Sequence, residues 1–471
     1  MYEKAGEKEY ITYIEKKSQA PAGGSGSIRE ALLSQFDIKV GGSIVTRPLV
    51  YDGVLYLGAN DTYLYALDAA SGLLLWKFKT GDLIWHYAAA ADGIIYLRSR
   101  DMYVYALSAA DGSLIWKQRV GAPFGGSPVV ANGALYVGTG SGVDTMYAFD
   151  ARSGNIQWTF KANGPVQTPS LANNTLFFGC GDKCMYALDA ATGSLKWKFM
   201  TSDGIDSIPA ITNSNGDEVW SVHTQTLHIP TVTNGMLYFG SWDNHVYALT
   251  LDGKEQWRYR TDGPIIFSSP TVYKGILYVG SFDQHLYALD TQTGTLKWRF
   301  RTGGAVTADP LVCHETIYVG SVDSCLHAVS LDGKEQWKFR TGGYISAAAT
   351  VWNDTVYFGS WDCNLYALSL HTRKPVWNFR TGAKYESQLS TPLPTVIDQI
   401  NEMNRRIYRL WKPETRSTVF ADHVSLSHEY RMANQYAAKS PYQMEQPPGY
   451  AGEKPKTSWE RMAEKMGFKP K

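Results

Sequence analysis

Two stretches of the sequence, GMLYFGSWDNHVYALTLDGKEQWRYRTDG at 235–263 and GILYVGSFDQHLYALDTQTGTLKWRFRTGG at 275–304, repeat one pattern in register. Working outward from them finds the same pattern eight times. The tryptophans that close the units are Trp76, Trp116, Trp158, Trp197, Trp257, Trp298, Trp337 and Trp377. Successive tryptophans are 39 to 42 residues apart, except for one step of 60 from Trp197 to Trp257. A period of about 40 residues is typical of propellers and solenoids.

Each unit alternates apolar and polar positions with period two, and β-branched and aromatic residues dominate it. This composition and period indicate short, half-buried strands. Turn residues separate four such runs in every unit, the tryptophan run being the outermost. We therefore predict an all-β fold, an eight-bladed β-propeller of four-stranded blades with non-propeller N- and C-terminal extensions. We expect the eight tryptophans to dock between blades and to be buried there.

The repeats also set the domain boundaries. Residues 41–382 hold eight full sets of four strands, so the ring can close without the C-terminal segment. We predict the propeller over 41–397, an N-terminal extension over 1–40 and a C-terminal tail with short helices over 398–471. The long step predicts an insertion at about 204–230, protruding at a junction between blades.

Charge and cysteine content narrow the function classes. The chain has 45 Lys and Arg against 44 Asp and Glu, a net charge of +1. This balance disfavours a dedicated nucleic-acid-binding protein. Five cysteines in 471 residues do not form a disulfide framework. The N-terminal MYEKAGEKEYITYIEKK is charged where a signal peptide is apolar, and no stretch predicts a membrane span. We therefore expect a cytoplasmic protein.

Each unit carries a version of the motif Ala-x-Asp-x-x-(Thr/Ser)-Gly-x-x-x-Trp, as at Ala66, Asp68, Ser71, Gly72 and Trp76. With this motif the chain resembles the pyrroloquinoline-quinone-type eight-bladed propellers with tryptophan-docking repeats. Repeats five and seven are one residue shorter and repeat eight lacks the glycine, which predicts altered outer turns in those blades.

The resemblance implies an architecture shared by quinoprotein dehydrogenases and BamB-like assembly scaffolds. The dehydrogenases hold their quinone beside two adjacent cysteines, with a stacking tryptophan and Glu, Asn and Asp ligands to calcium. No two cysteines are adjacent here. The chain therefore resembles the scaffold branch more closely, and we expect neither cofactor nor catalytic residues.

One repeat position reads Cys184, His245, His285 and Cys325 in four consecutive units. Thiols and imidazoles suit zinc, but all ligands must lie within about 2.3 Å of the ion, and facing sheets are about 10 Å apart. We therefore predict no metal site. An aspartate recurs two residues before this repeat position, which indicates a turn residue that bonds its own backbone. The aspartates are Asp243, Asp283, Asp323 and Asp362.

Large side chains stand at hairpin tips and loops where small polar residues are usual. They are Trp242, Phe282, Trp361, Arg100, Trp85, Phe267 and Tyr344. Such residues suggest a contact surface for a partner protein. The alternative is that these rings pack across blade junctions.

The tail over 398–471 has 13 Lys and Arg against 9 Asp and Glu, with scattered tyrosines and prolines. Segments of this composition often order on a partner; the alternative is a strap over the protein's own propeller. Our hypothesis is a non-catalytic scaffold or accessory subunit of a larger complex, which binds protein partners by one propeller face and the tail. The alternative is a divergent quinone-dependent oxidoreductase or a propeller that binds a small ligand.

Overall fold

The structure is a computed structural model that describes residues 42–140, 142–212, 218–220 (backbone only) and 235–382. The extensions predicted over 1–40 and 398–471 lie outside the described residues. The described residues form eight separate antiparallel sheets, one for each repeat, which confirms the predicted all-β eight-bladed propeller of four-stranded blades. Among these residues, no helix has the length and apolar character needed to span a membrane.

The strands follow one another from the inner to the outer edge of each blade, with a single addition in blade 5. Blades 1 to 4 contain β1 Leu49–Tyr51, β2 Val54–Gly58, β3 Tyr63–Asp68, β4 Leu74–Lys79, β5 Ala89–Ala91, β6 Ile94–Arg98, β7 Tyr103–Ser108, β8 Leu114–Arg119, β9 Val129–Ala131, β10 Ala134–Gly138, β11 Thr145–Asp150, β12 Ile156–Lys161, β13 Ser170–Ala172, β14 Thr175–Gly179, β15 Cys184–Asp189 and β16 Leu195–Met200. Blades 5 to 8 contain β17 Ala210–Thr212, β18 Glu218–Trp220, β19 Met236–Gly240, β20 His245–Thr250, β21 Glu255–Arg260, β22 Thr271–Tyr273, β23 Ile276–Gly280, β24 His285–Asp290, β25 Leu296–Arg301, β26 Leu311–Cys313, β27 Thr316–Gly320, β28 Cys325–Ser330, β29 Glu335–Arg340, β30 Thr350–Trp352, β31 Thr355–Gly359, β32 Asn364–Ser369 and β33 Pro375–Arg380.

Burial follows the position of a strand within its blade. The second and third strands are buried on both faces, because a neighbouring blade covers each face. The outermost strands alternate between exposed and half-buried residues. Apolar clusters join neighbouring blades, and one of them joins Leu55 and Leu57 of blade 1 to Leu365 of blade 8. The core of this protein therefore lies in the junctions between blades.

Seven of the eight tryptophans dock on a glycine in the outer turn of the next blade. A Cβ added to Gly333 would lie 2.7 Å from the Trp298 ring, so only glycine lets the indole approach this closely. The Trp298 Nε1 also donates to the Leu331 carbonyl at 2.8 Å. The rings are half-buried and not fully buried as the sequence predicted. The reason is that they lie on the outermost strand, where one side faces solvent.

The outer turns of blades 5, 7 and 8 are altered, as predicted. In blade 5 the Gly253 amide donates to the Thr250 carbonyl, three residues back, whereas in blade 1 Gly72 reaches Asp68, four residues back. In blade 8 Arg373 takes the glycine position with a φ of 60°. A groove of about 450 Å³ lies at this junction, lined in part by Trp337 and Arg373.

The ring closes between blades 8 and 1 through the same contacts that join other blades. The Trp377 Nε1 donates to the Ala69 carbonyl at 3.2 Å, and the Tyr357 hydroxyl donates to the same carbonyl at 2.8 Å. The Thr381 hydroxyl donates to the Gly42 carbonyl. Closure thus needs no strand from the tail.

The long repeat differs from the prediction in where its extra residues lie. Residues 204–212 form the regular loop and inner strand of blade 5, so the insertion begins after Thr212. Its strand β18 pairs with β17 and becomes a fifth, innermost strand. The described part of the insertion, β18, therefore lies within a blade, on the edge that the inner strand presents toward the ring axis.

Replacing Trp298 by Ala should lower the free energy of unfolding by about 3 kcal/mol, the lower end of the range for large aromatic residues because this ring is half-buried. Trp337→Ala is the matched control, because Arg373 replaces its docking glycine. Urea unfolding should show a clearly smaller loss for this control. Equal losses would contradict the docking role of the glycine.

Candidate functional site

One face of the propeller carries both the hairpins between second and third strands and the loops that connect one blade to the next. We call it the loop face. Backbone bonds tie each hairpin tip to the loop entering the same blade, as from Trp242 to Gly204 and from Phe282 to Pro264, both at 3.0 Å. All seven predicted partner-binding residues lie on this face.

The innermost side chains stand two positions before each inner strand. They are Arg47, Tyr87, Ser127, Thr168, Ile208, Ser269, Asp309 and Ala348. Several of these side chains hold the backbone of the preceding blade: Ser127 accepts from the Tyr87 amide at 3.0 Å and Thr168 from the Ser127 amide at 2.7 Å. The inner end of the ring is thus a chain of polar contacts from blade to blade.

Charged side chains meet in this inner ring, although sequence reasoning did not select them. The Arg47 guanidinium carbon lies 5.5 Å from the centroid of the Tyr87 ring, and the Asp309 Oδ1 accepts from the Ser269 amide at 2.6 Å. Burial raises the pKa of Asp309 to about 6, although the Ser269 amide and the Arg47 charge act in the opposite direction. Arg47 and Asp309 are both buried. They come from blades 1 and 7, so only ring closure brings them together.

The inner ring does not fit a quinone with its calcium ion. Calcium takes six to eight oxygen ligands. Among the eight innermost positions Asp309 is the one carboxylate, and its Oδ1 already accepts from Ser269. The five cysteines are free thiols, and no two of them are adjacent in the sequence.

Three of the predicted partner residues are fixed within the loop face. The Trp242 Nε1 donates to the Asp206 Oδ2 at 2.7 Å, and the Trp361 Nε1 donates to the Ser346 hydroxyl at 2.8 Å. Tyr344 is buried against the Trp361 ring, with centroids 5.7 Å apart. Tyr344 therefore packs within the loop face, and its role as a partner contact stays a prediction.

Arg100 and Trp85 form a cation–π pair with a second ring beside it. The Arg100 guanidinium lies 4.4 Å from the Trp85 ring centroid and 5.2 Å from that of Phe124. The contact with Phe124, which lies in the loop into blade 3, is packing across a blade junction, the alternative that the sequence left open. Trp242 and Trp361 instead bond the loop that enters their own blade, and Phe282 is half-buried at its hairpin tip.

Phe267 differs from all these residues. It is 55% exposed, and its φ of 68° is in the left-handed region that large side chains avoid. The loop from Thr261 to Ser269 is one residue longer than its counterpart from Thr302 to Asp309. Phe267 is thus an exposed ring on a strained extra residue.

Arg98 is a buried charged residue that the sequence analysis did not select as a candidate. It replaces the glycine that ends the second strand in the other seven blades, and that break in the repeat is the signal that could have found it. The side chain is fully buried and donates to the carbonyls of Gly138 at 2.8 Å and Ala122 at 2.9 Å. It holds the loop into blade 3 in place, which is a structural role.

Three of the four predicted turn aspartates, Asp243, Asp323 and Asp362, also accept from an amide that follows the outermost strand of the preceding blade. In blade 8 the Asp362 Oδ1 accepts from the Asn364 amide at 3.0 Å, the turn bond that the sequence predicts. Its Oδ2 accepts from the Tyr366 hydroxyl at 2.8 Å and from the Gly342 amide of blade 7 at 2.7 Å. One carboxylate therefore fixes a turn, a strand and the preceding blade.

Blade 7 replaces the tyrosine of this arrangement by His327, which is buried. Its Nε2 lies 2.9 Å from the Asp323 Oδ2 and its Nδ1 lies 2.8 Å from the Glu335 Oε1. Because carboxylates only accept, both nitrogens carry protons. Burial disfavours this cation, but the two carboxylates outweigh burial and raise the pKa of His327.

The residues of the repeat position considered for zinc stay within their own blades. His245 and His285 each place Nδ1 within hydrogen-bonding distance of the aspartate two residues earlier, at 2.9 and 3.1 Å from its carbonyl. Asp323, Cys325 and His327 do bring their ligand atoms within 4.8 Å of one another. Burial raises the pKa of the Cys325 thiol to about 11, and His327 already bonds two carboxylates. Hydrogen bonds therefore account for this cluster.

The His327 arrangement should make stability depend on pH. A raised histidine pKa contributes stability that is complete below the unfolded value of about 6.5 and is lost as pH rises through the folded value. His327→Tyr should remove this dependence, because tyrosine bonds the equivalent aspartate in blade 8. Urea unfolding at pH 6 and pH 9 measures the difference, and parallel pH profiles for both proteins would contradict the charge on His327.

A family model described as outer membrane protein assembly factor BamB matches residues 61–203, 198–272 and 266–402. BamB from Moraxella catarrhalis is 19% identical, with a TM-score of 0.55 over 67% of this chain and 91% of that one. The quinohemoprotein alcohol dehydrogenase from Comamonas testosteroni is 15% identical, with a TM-score of 0.56 over 70% and 71%. The computationally designed Ika8 protein is 14% identical, with a TM-score of 0.58 over 70% and 97%.

No curated protein sequence matches the chain significantly. At these identities, likeness to the solved structures shows the fold alone. The family model covers well over half of the chain, and the eightfold tryptophan docking agrees with it. This protein therefore belongs to the PQQ-type β-propeller family whose model is described as outer membrane protein assembly factor BamB.

Proposed function

We propose that this protein is a non-catalytic scaffold or accessory subunit that binds partner proteins through its loop face and its C-terminal tail. Phe267 carries the proposal. A large ring held 55% exposed at a positive φ costs about 1–3 kcal/mol of backbone strain, and such strain is typically retained at functional positions. An exposed aromatic anchor is what protein interfaces use most.

The surroundings of Phe267 support a rigid docking surface. Trp242 and Trp361 are held by their own hydrogen bonds, so a partner would lose little side-chain entropy when it contacts them. Phe282 adds a half-buried ring on the same face. We propose Phe267 as the anchor and Trp242, Phe282 and Trp361 as the preorganised surface around it.

The remaining parts of the proposal follow from the sequence. The family includes BamB, which is described as an assembly factor, and this supports a role in a larger complex. The net charge of +1 argues against nucleic acid as a partner. We also propose that the protein has no bound cofactor, because the inner ring does not fit a quinone site. We propose the cytoplasm as its location.

Phe267→Gly should remove the ring and relieve the strain at once, because glycine adopts a positive φ without penalty. Affinity purification of the full-length native protein should recover a partner that the variant loses, while its melting temperature stays equal or rises. Arg152→Ala, in an exposed outer turn on the opposite face, is the matched control and should keep the partner. Recovery of the same partner with all three proteins would contradict the role of Phe267.

The tail is tested separately. Blade 8 ends at Arg380 and closes on blade 1 through residues up to Thr381, so the ring is complete without residues 398–471. Deleting 398–471 should leave the unfolding midpoint almost unchanged and weaken partner recovery. A truncated protein that aggregates or melts many degrees lower would show that the tail is a strap of the propeller.

A small ligand on the loop face is a second candidate function, and one observation favours it. Several buried polar atoms on the described part of this face have no hydrogen-bond partner, among them Trp85 Nε1, His86 Nε2, Thr307 Oγ1, Asn60 Oδ1 and Asp309 Oδ2. Buried polar atoms are normally paired, and a ligand could supply the missing bonds. An absorbance spectrum of the purified protein separates the oxidoreductase alternative, because a bound quinone absorbs in the near ultraviolet and visible ranges.

A further inference from the structure

The junction between blades 7 and 8 differs from the other seven in its docking contact. In those seven a glycine lies against the tryptophan, and a Cβ added to it would lie 2.5 to 2.7 Å from the nearest ring atom. In blade 8 Arg373 takes the glycine position and carries that Cβ. The turn otherwise keeps its ordinary hydrogen bond, from the Arg373 amide to the Ser369 carbonyl at 2.8 Å. Trp337 and this turn therefore cannot approach each other as closely as their counterparts do.

A hydrogen bond is missing at the same place. The seven other docking tryptophans donate Nε1 to a carbonyl of the next blade at 2.8 to 3.2 Å. The counterpart of that carbonyl in blade 8 belongs to Leu370, and among the described residues Trp337 makes no such bond. The hydroxyl of the buried Tyr318 does not bond it either, whereas the Tyr357 hydroxyl donates to the Ala69 carbonyl at 2.8 Å in the next junction. The Leu370 carbonyl thus lacks both donors that the Ala69 carbonyl has.

The widened junction is a groove of about 450 Å³, which is within the size range of small-molecule sites. It lies on the face opposite the loop face. The hairpin tips between first and second strands contribute His314 from blade 7 and Asp354 from blade 8, and the outer turn of blade 8 contributes His371 and Arg373. Polar side chains of two blades therefore surround the gap beside the Trp337 ring.

Both charges are present in this lining. The Asp354 Oδ2 lies 3.3 Å from the His371 Nε2, and its Oδ1 lies 3.8 Å from the His314 Nδ1. Burial raises the pKa of Tyr318, whereas the Thr316 hydroxyl and the Arg373 charge act in the opposite direction. The guanidinium thus acts on a hydroxyl that lines the groove. One guanidinium and one carboxylate balance each other, which favours a neutral ligand over a strongly anionic one.

The missing bond specifies the chemistry of the ligand. A group that bridges Trp337 Nε1 and the Leu370 carbonyl must accept from one and donate to the other. A hydroxyl does both, whereas a carboxylate only accepts. Beside this bond the Trp337 ring offers apolar surface, and Asp354 and Arg373 offer an acceptor and a donor. Hydroxyls combined with an apolar C–H face are the features of a sugar ring.

We propose that the groove between blades 7 and 8 binds a neutral saccharide. One sugar hydroxyl accepts from Trp337 Nε1 and donates to the Leu370 carbonyl. Other hydroxyls bond Asp354 and Arg373, and the C–H face of the sugar packs on the indole. This site is separate from Phe267 and does not depend on the function proposed for the loop face.

The probes are glucose, galactose, mannose, N-acetylglucosamine, maltose and cellobiose, tested on full-length protein by ligand-observed NMR and calorimetry. At least one should bind saturably with a Kd of about 1 mM or below. Trp337→Phe keeps an aromatic ring without its donor and should weaken binding about tenfold. Arg152→Ala is the matched control, because Arg152 is an exposed residue of the equivalent turn in blade 3, and it should leave binding unchanged.

Two substitutions at one position separate the groove from the charge. Arg373→Gly should abolish binding and keep or raise the melting temperature, because glycine lets the turn dock on Trp337 and close the groove. Arg373→Ala keeps the Cβ, and therefore the open groove, and should retain weakened binding.

Absence of binding of every probe to the wild type would overturn the proposal, since the groove would then hold water only. So would sugar binding that both Trp337→Phe and Arg373→Gly leave unchanged. Tighter binding of inorganic phosphate than of any of these sugars, lost in Arg373→Gly, would also overturn it, because the groove would then be an anion site.

Discussion

A tryptophan ring lying on a glycine of the next blade is the contact on which this structure depends. A single blade has two apolar faces and cannot bury either one alone, so each blade is stable only against its neighbours. The docked ring fills the outer part of each junction, and its Nε1 bonds a carbonyl of the following turn. Toward the loop face Asp323 accepts from the Gly303 amide at 2.8 Å and ties the same two blades together. This junction is thus fixed both at its outer turn and at its hairpin tip.

Closure follows from these local contacts because eight junctions complete the circle. Trp377 docks on Gly72 as Trp298 docks on Gly333, so the last junction is equivalent to the six others that have a docking glycine. Because these contacts hold the junctions, the residues at the innermost positions and on the outermost strands are free to vary. The inner ring uses that freedom for Arg47 and Asp309, and the outermost strands use it for exposed residues such as Leu75 and Ile115.

The features that suggest function are departures from the repeat. Phe267 is an extra residue in one loop, His327 replaces a tyrosine and Arg373 replaces a docking glycine. Each departure has a physical consequence in the structure: an exposed strained ring, a buried cation and a groove. Because the repeat supplies the ordinary residue at each position, it also supplies the substitution that tests the departure.

The sequence by itself determined the blade count, the four strands of a blade, the docking tryptophans and the family. Those properties are local and repeat eight times, so periodicity and motif spacing were enough to predict them. The surroundings of individual side chains depend on residues that are distant in the sequence. Tyr344 is buried and Phe267 exposed although both are aromatic loop residues, because the fate of each ring depends on the loop of a neighbouring blade.

The inner ring shows the same limit most clearly. Arg47 and Asp309 are far apart in the sequence, and the Arg47 charge acts on the Asp309 carboxylate because blades 7, 8, 1 and 2 are neighbours once the ring is closed. Only the tertiary structure could decide that interaction and the place of β18 within blade 5. The repeat determines the local structure of each blade, because it depends on residues close in the sequence. Ring closure determines which residues distant in the sequence become neighbours in space.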